Sequence, residues 1–165
     1  MARAGRTLTE GDSMNERTYR LLQWTWGLPQ NLSGALRLLF CLRRPHFSYR
    51  GAYVTLWKKR SSAAVGMYIF LGVRDQRFLR RKKIAAEDLS AIDAKVLNHE
   101  YGHTIQSIFL GPLFLPLVAL PSTLWVAFGG GFRKKHRFSY YRMYPENWAN
   151  ALGQRYTDGG EVPDW

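Results

Sequence analysis

From Ile108 to Phe128 the chain reads IFLGPLFLPLVALPSTLWVAF, without one charged residue. A run of this kind has to be hidden in a fold or immersed in lipid, and it is long enough to cross a bilayer. Pro112, Pro116 and Pro121 each remove a backbone donor. A re-entrant or interfacial hairpin, or a helix starting near Pro121, is therefore easier to satisfy than one straight span. The basic run Arg133-Lys134-Lys135-His136-Arg137 follows shortly after and suits an anionic cytoplasmic surface. Membrane association is the expectation, with a buried hydrophobic lid as the soluble alternative.

The remainder of the chain is ordinary enough to fold around a core. It has 165 residues, 46% of them hydrophobic and 15% aromatic, which predicts one domain over 17–165 with 108–128 as an apolar insertion. Residues 1–16, MARAGRTLTEGDSMNE, lack apolar periodicity and the apolar stretch of a signal peptide, and read as a flexible tail in which Met14 is an alternative start. The net charge of +12 comes from 24 Lys and Arg against 12 Asp and Glu. It suits an anionic membrane or nucleic acid alike, but no nucleic-acid motif accompanies it, and specific nucleic-acid binding is not expected. Cys41 is the single cysteine, so there is neither an internal disulfide nor a thiolate metal site. Any metal must be held by His and carboxylate.

Leu21, Leu22, Trp24 and Trp26, then Leu36, Leu38 and Leu39, predict two short packing helices separated at Gly27-Leu28-Pro29. HFSYRGAYVTLW and SSAAVGMYIFLGV are rich in aromatic and β-branched residues and flank Lys58-Lys59-Arg60, which predicts an antiparallel pair joined by a basic turn. Ser90 and Asp93 form a capping box, so a helix should run from Ala91 to Leu110 and stop at Gly111-Pro112.

On that helix stands His99-Glu100-Tyr101-Gly102-His103. The two histidines are one turn apart, so their imidazoles share a face and can reach one ion. Glu100 flanks that face, close enough to take a proton from a zinc-activated water without being a ligand. Gly102 lets another backbone pass close to the metal face. A structural His pair is the plainer alternative, but the motif falls well inside a capped helix, as the geometry requires.

A catalytic zinc needs a third protein ligand and an open position. Downstream, Pro145 opens a helix that carries Glu146-Asn147-Trp148-Ala149-Asn150. HEYGH followed by ENWAN resembles the gluzincin metallopeptidases, where a helix bearing Glu-x-x-Ala-Asp completes the site. Membrane zinc endopeptidases of the CAAX prenyl protease type have the most similar pattern, and HEYGHTIQS points to short bacterial proteins. The resemblance runs from GMYIFLG to ENWAN. It implies Zn2+ held by His99, His103 and Glu146, with Glu100 as general base. Asn150 stands where the family has Asp, so an amide oxygen would orient a ligand histidine.

The resemblance further implies an α+β, zincin-like fold with a short antiparallel sheet, a HExxH helix and a C-terminal ligand helix. It implies hydrolysis of peptide or protein substrates, which the apolar run and its basic flank place beside a membrane, with the active site facing the cytoplasm. Gly66 to Leu71 is either the edge strand that receives extended substrate or a core strand. Tyr140, Tyr141, Arg142 and Tyr144, just before Glu146, are candidate oxyanion stabilisers, though each also suits packing or the surface. A non-catalytic membrane-associated binding or scaffolding protein, with zinc structural or absent, is the rival reading.

Overall fold

The structure is a computed structural model that describes residues 14–58, 61–73 and 93–163. It is mixed α+β. Helices α1 (Glu16–Trp24) and α2 (Leu28–Leu39) lead into strands β1 (His46–Tyr49), β2 (Ala52–Trp57), β3 (Ala63–Val65) and β4 (Tyr68–Gly72). Then follow α3 (Ala94–Leu110), α4 (Leu120–His136) and α5 (Tyr144–Tyr156). Asn15 caps α1 by accepting from the Arg17 amide. Asn15 and Glu16, read as tail in the sequence, therefore belong to the first helix. The break at Gly27 is found as expected, with Pro29 in the first turn of α2.

The four strands lie in the order β1-β2-β4-β3, and the two inner strands are parallel, with Tyr53 opposite Tyr68 and Trp57 opposite Gly72. This corrects the expected antiparallel pair. Each aromatic-rich run contains a turn of its own and folds as a hairpin. In the first, Arg50 (φ 48°) and Gly51 (φ 86°) form a two-residue turn with both φ positive, the geometry that matches the twist of paired strands. In the second, Gly66 and Met67 connect β3 to β4. The hairpins then join through their second strands, which run the same way. β4 is an interior strand, so the segment from Gly66 to Leu71 supplies core, and β1 and β3 form the edges.

Ile69, Phe70 and Leu71 of β4 and Val54 and Leu56 of β2 pack with Tyr101 and Ile105 of α3 in one buried cluster. Each such side chain contributes roughly 1.5–3 kcal/mol by leaving water. α3 starts at Ala94, with the Asp93 carboxylate accepting from the Val96 amide at 3.3 Å. Asp93 is thus the cap rather than a residue of the first turn, and the Ser90 half of the expected capping box lies outside the described residues. Gly111 (φ 52°) ends the helix as expected.

The three prolines of the apolar run each fall at the start of a helical turn, where a missing N–H costs least. Pro112 opens a 3₁₀ turn (Gly111–Leu113), Pro116 a π turn (Leu115–Ala119) and Pro121 the helix α4. α4 begins beside Pro121, as one of the alternatives expects, but it continues the π turn without a break, so the helical stretch starts earlier. The helical stretch Leu115–His136 has a mean hydropathy of 1.4 over its most apolar window, of which only 11% is buried, and it is long enough to cross a membrane.

Candidate metal centre

α3 is buried along almost its whole length, from Leu97 to Ile108, and α5 crosses it at very close range. A Cβ on Gly102 would lie 1.9 Å from the Ala149 carbonyl oxygen, and one on Gly153 would lie 2.3 Å from that of Asn98. Only hydrogen atoms fit there. The contact at Gly102 was expected from the sequence, and the backbone that passes is the one bearing ENWAN. Glu146 and Asn150, one turn apart on α5, are thereby pressed against His99.

His99 Nε2 lies 3.1 Å from Glu146 Oε2, and His103 Nε2 lies 3.5 Å from the same oxygen. All three side chains are buried, and their candidate ligand atoms lie within 4.8 Å of one another. The outer nitrogens are also engaged. His99 Nδ1 is 2.7 Å from Asn150 Oδ1, and His103 Nδ1 is 2.7 Å from Gln106 Oε1. Neither amide is free to flip, because Asn150 Nδ2 donates to the Pro163 carbonyl and Gln106 Nε2 to the Pro145 carbonyl. Both amides therefore present oxygen to the rings, each Nδ1 carries the proton, and each Nε2 lone pair points inward. Three acceptor atoms this close require positive charge among them.

A cation with a preference for imidazole and carboxylate fits that donor set, and zinc is such a cation. Burial pushes the Glu146 carboxyl up, but with no metal bound a proton at Nε2 of His103 or His99 takes the cation's place, and the hydrogen bonds these rings then donate, with one donated by the Ser122 hydroxyl to Oε1, outweigh burial and hold the group well below the usual carboxylate range. It is an anion at neutral pH. Glu100 behaves differently: burial, opposed by His99 and reinforced by Glu146, pushes its carboxyl up to about 7. Its Oε2 makes no hydrogen bond to the described residues.

Glu100 and His103 open onto a crevice of about 130 Å³ between edge strand β3 and α4, walled by Ala64, Val65, Val118 and Val126. Tyr140 lines it too, and its burial raises the phenol pKa. Tyr141 stacks edge-on against the His99 ring at 5.1 Å. The other two oxyanion candidates are not brought to the site. Arg142 is exposed, and the exposed Tyr144 donates its hydroxyl to the Leu117 carbonyl, because the turn before α5 sends alternate side chains outward. His136 is exposed within its basic run, its ring against Phe132.

Two contributors escaped the sequence reading. Gln106 had a signal, since it stands three residues after His103 on the same helical face. Ser122 had none, being one hydroxyl in an apolar run. Comparison with family models, with curated proteins and with solved structures finds no match to this chain.

The close crossing predicts a specific lesion. Alanine normally stabilises a helix interior over glycine by up to about 1 kcal/mol. Gly102→Ala should instead destabilise by about 1–3 kcal/mol through overpacking and weaken zinc binding by displacing Glu146 and Asn150. Gly131→Ala inside α4, with nothing within 4 Å of the added Cβ, should stabilise by up to about 1 kcal/mol and leave zinc binding unchanged. Thermal unfolding and zinc competition against a chelator check the pair. Equal behaviour of the two variants would mean that the crossing does not set the site.

Proposed function

We propose that this protein is a zinc-dependent metallopeptidase of the gluzincin kind, attached to a membrane through α4. One observation carries the reading. Both imidazoles commit their Nδ1 protons to fixed amide oxygens, while their Nε2 atoms and a buried carboxylate converge on a single point.

Zinc held by His99, His103 and Glu146 supplies Lewis-acid polarisation of the scissile carbonyl and makes water at the site more acidic. Glu100, poised near neutrality, takes the proton of the attacking water and passes it to the leaving amine. Tyr140 in the same crevice is the nearest candidate donor to the developing oxyanion. Edge strand β3, which among the described residues pairs on one side only, lies along the crevice and offers its other side to an extended peptide. Phe114, Val118 and Val126 form an apolar wall for its side chain. With α4 in the bilayer, its terminal Arg133, Lys134 and Lys135 rest at anionic headgroups, and Ser122 at the start of the helix holds Glu146, which seats the site beside the membrane.

The test is metal removal. Purified protein in detergent should contain about one zinc per chain, cleave members of a peptide library, lose cleavage on chelation and regain it with zinc. Zinc-loaded protein that cleaves nothing would favour the scaffolding reading.

A further inference from the structure

The outer face of α2 and of the last turn of α1 has the reverse of the polarity expected of helices facing water. On α2, Leu28, Leu32, Leu36 and Leu39 recur at one-turn spacing and are all exposed. The opposite side buries Gln30 and Asn31 completely. Gln30 donates to the Gly111 carbonyl at 2.9 Å, and Asn31 accepts from the Met67 amide at 3.0 Å. Only the last turn of α1 repeats the pattern: Gln23 is buried and donates to the Thr104 carbonyl, while Leu21 and Trp24 face outward, whereas the first turns bury Tyr19 and expose Glu16, Arg17 and Arg20. Phe40, just past α2, is 90% exposed. Packing the amides inward and the leucines outward leaves an apolar patch that water disfavours and hydrocarbon accepts.

Three observations name what covers it. Arg43 and Arg44 share one surface concavity with Leu39, Phe40 and Leu42, which sets cations at the rim of an apolar face and suits anionic headgroups above acyl chains. Trp24 and Trp26, both exposed, are residues suited to the headgroup level. Trp26 also packs on Gly111, so the patch continues into exposed Leu113 and Leu117 at the foot of α4. With 12 residues, α2 is about 18 Å long, too short to cross a hydrocarbon core of about 30 Å. It can only lie in one leaflet.

We propose that the α1–α2 face is a second, in-plane membrane anchor, seated at the boundary between headgroups and acyl chains of an anionic leaflet, with Arg43 and Arg44 on the headgroups. It is independent of the zinc reading and adds to the anchorage through α4.

Site-directed spin labelling of the full chain tests it. On a Cys41→Ser background, single labels are placed by Leu36→Cys on α2, Leu124→Cys on α4 and Gln154→Cys on the exposed side of α5. The protein is reconstituted in phosphatidylcholine vesicles with and without phosphatidylglycerol. With phosphatidylglycerol, the label at 36 should collide with oxygen severalfold more, relative to a water-soluble nickel chelate, than the label at 154. Arg43→Gln with Arg44→Gln should shrink that contrast at 36 and leave 124 unchanged. A label at 36 open to the nickel chelate overturns the proposal, and a lipid-like signal at 124 in the same sample leaves the α4 anchor standing. A label at 36 immobile and shielded from both reagents overturns it in favour of a second copy or another protein. A contrast at 36 indifferent to phosphatidylglycerol overturns the role of the arginines. Zinc content of each sample separates all of these outcomes from failure of the metal site.

Discussion

Glu146→Ala should strip zinc from a protein that still folds. Glu146 is fully buried, and among the described residues its Oε2 is the one anionic atom within reach of both imidazoles, at 3.1 and 3.5 Å. Its other oxygen accepts from Ser122 on α4, which fixes the carboxylate from a second direction. Alanine leaves two neutral imidazoles, too few ligands and no compensating charge for a dication. Asn150→Ala and Gln106→Ala keep all three ligands and remove only the acceptors that orient them. Each should cost about 10–100-fold in zinc affinity, and Glu146→Ala should cost more than either. Affinity against a competing chelator, with circular dichroism to check folding, ranks the three. If Glu146→Ala bound zinc like the parent while Asp93→Ala lost it, the third ligand would be misassigned.

The helix that carries the histidines was legible because its signals are local. Its cap residue, its Gly-Pro stop and the four-residue spacing of His99 and His103 act within one or two turns. The partner helix was found through Pro145 at its start and through the resemblance of ENWAN to the Glu-x-x-Ala-Asp of gluzincins, and Gly102 announced a close neighbour. The sheet was not legible for the opposite reason. Arg50 takes a positive φ that its residue type does not advertise, so the turn inside HFSYRGAYVTLW was invisible, and with it the hairpin. The parallel register of β2 and β4 is a tertiary choice with no local mark. α1 and α2 were placed correctly, and Leu22 and Leu38 pack against the core as expected, but Leu21, Trp24, Leu36 and Leu39 face outward. A reading that sends leucine inward misplaces Leu36 and Leu39 when Gln23, Gln30 and Asn31 are the residues that tie these helices to α3 and β4.

That inward polar surface bears on the site. Gln23 and Gln30 accept from or donate to Ser107 and bond the carbonyls of Thr104 and Gly111, near the C-terminal end of α3. They hold the end of the metal helix where an apolar core could not. The arrangement links α1 and α2 to the turn that follows His103, just as Ser122 links α4 to Glu146.

Glu100→Gln should keep zinc and fold while lowering hydrolysis by about 10²–10⁴-fold or more, the usual contribution of a positioned acid or base. The amide has the shape of the carboxyl but cannot take a proton from water, and none of the three ligands is changed. Burial of Glu100 also fixes the sign of a stability effect in the metal-free protein. Its folded pKa of about 7 lies above the ordinary 4.5, so the folded state holds a proton that the unfolded chain gives up. The stability this supplies is fully present below pH 4.5 and is lost as pH rises toward 7. Glutamine cannot ionise, so the variant should gain on the parent across that window in urea unfolding of the chelated protein. Unchanged turnover would remove Glu100 from the mechanism, and loss of zinc would make it a ligand. A flat stability difference with pH would mean that the carboxylate is better solvated than its burial implies. Retained zinc, lost hydrolysis and a pH-dependent gain together require a buried, proton-accepting carboxylate that stands beside the metal without binding it.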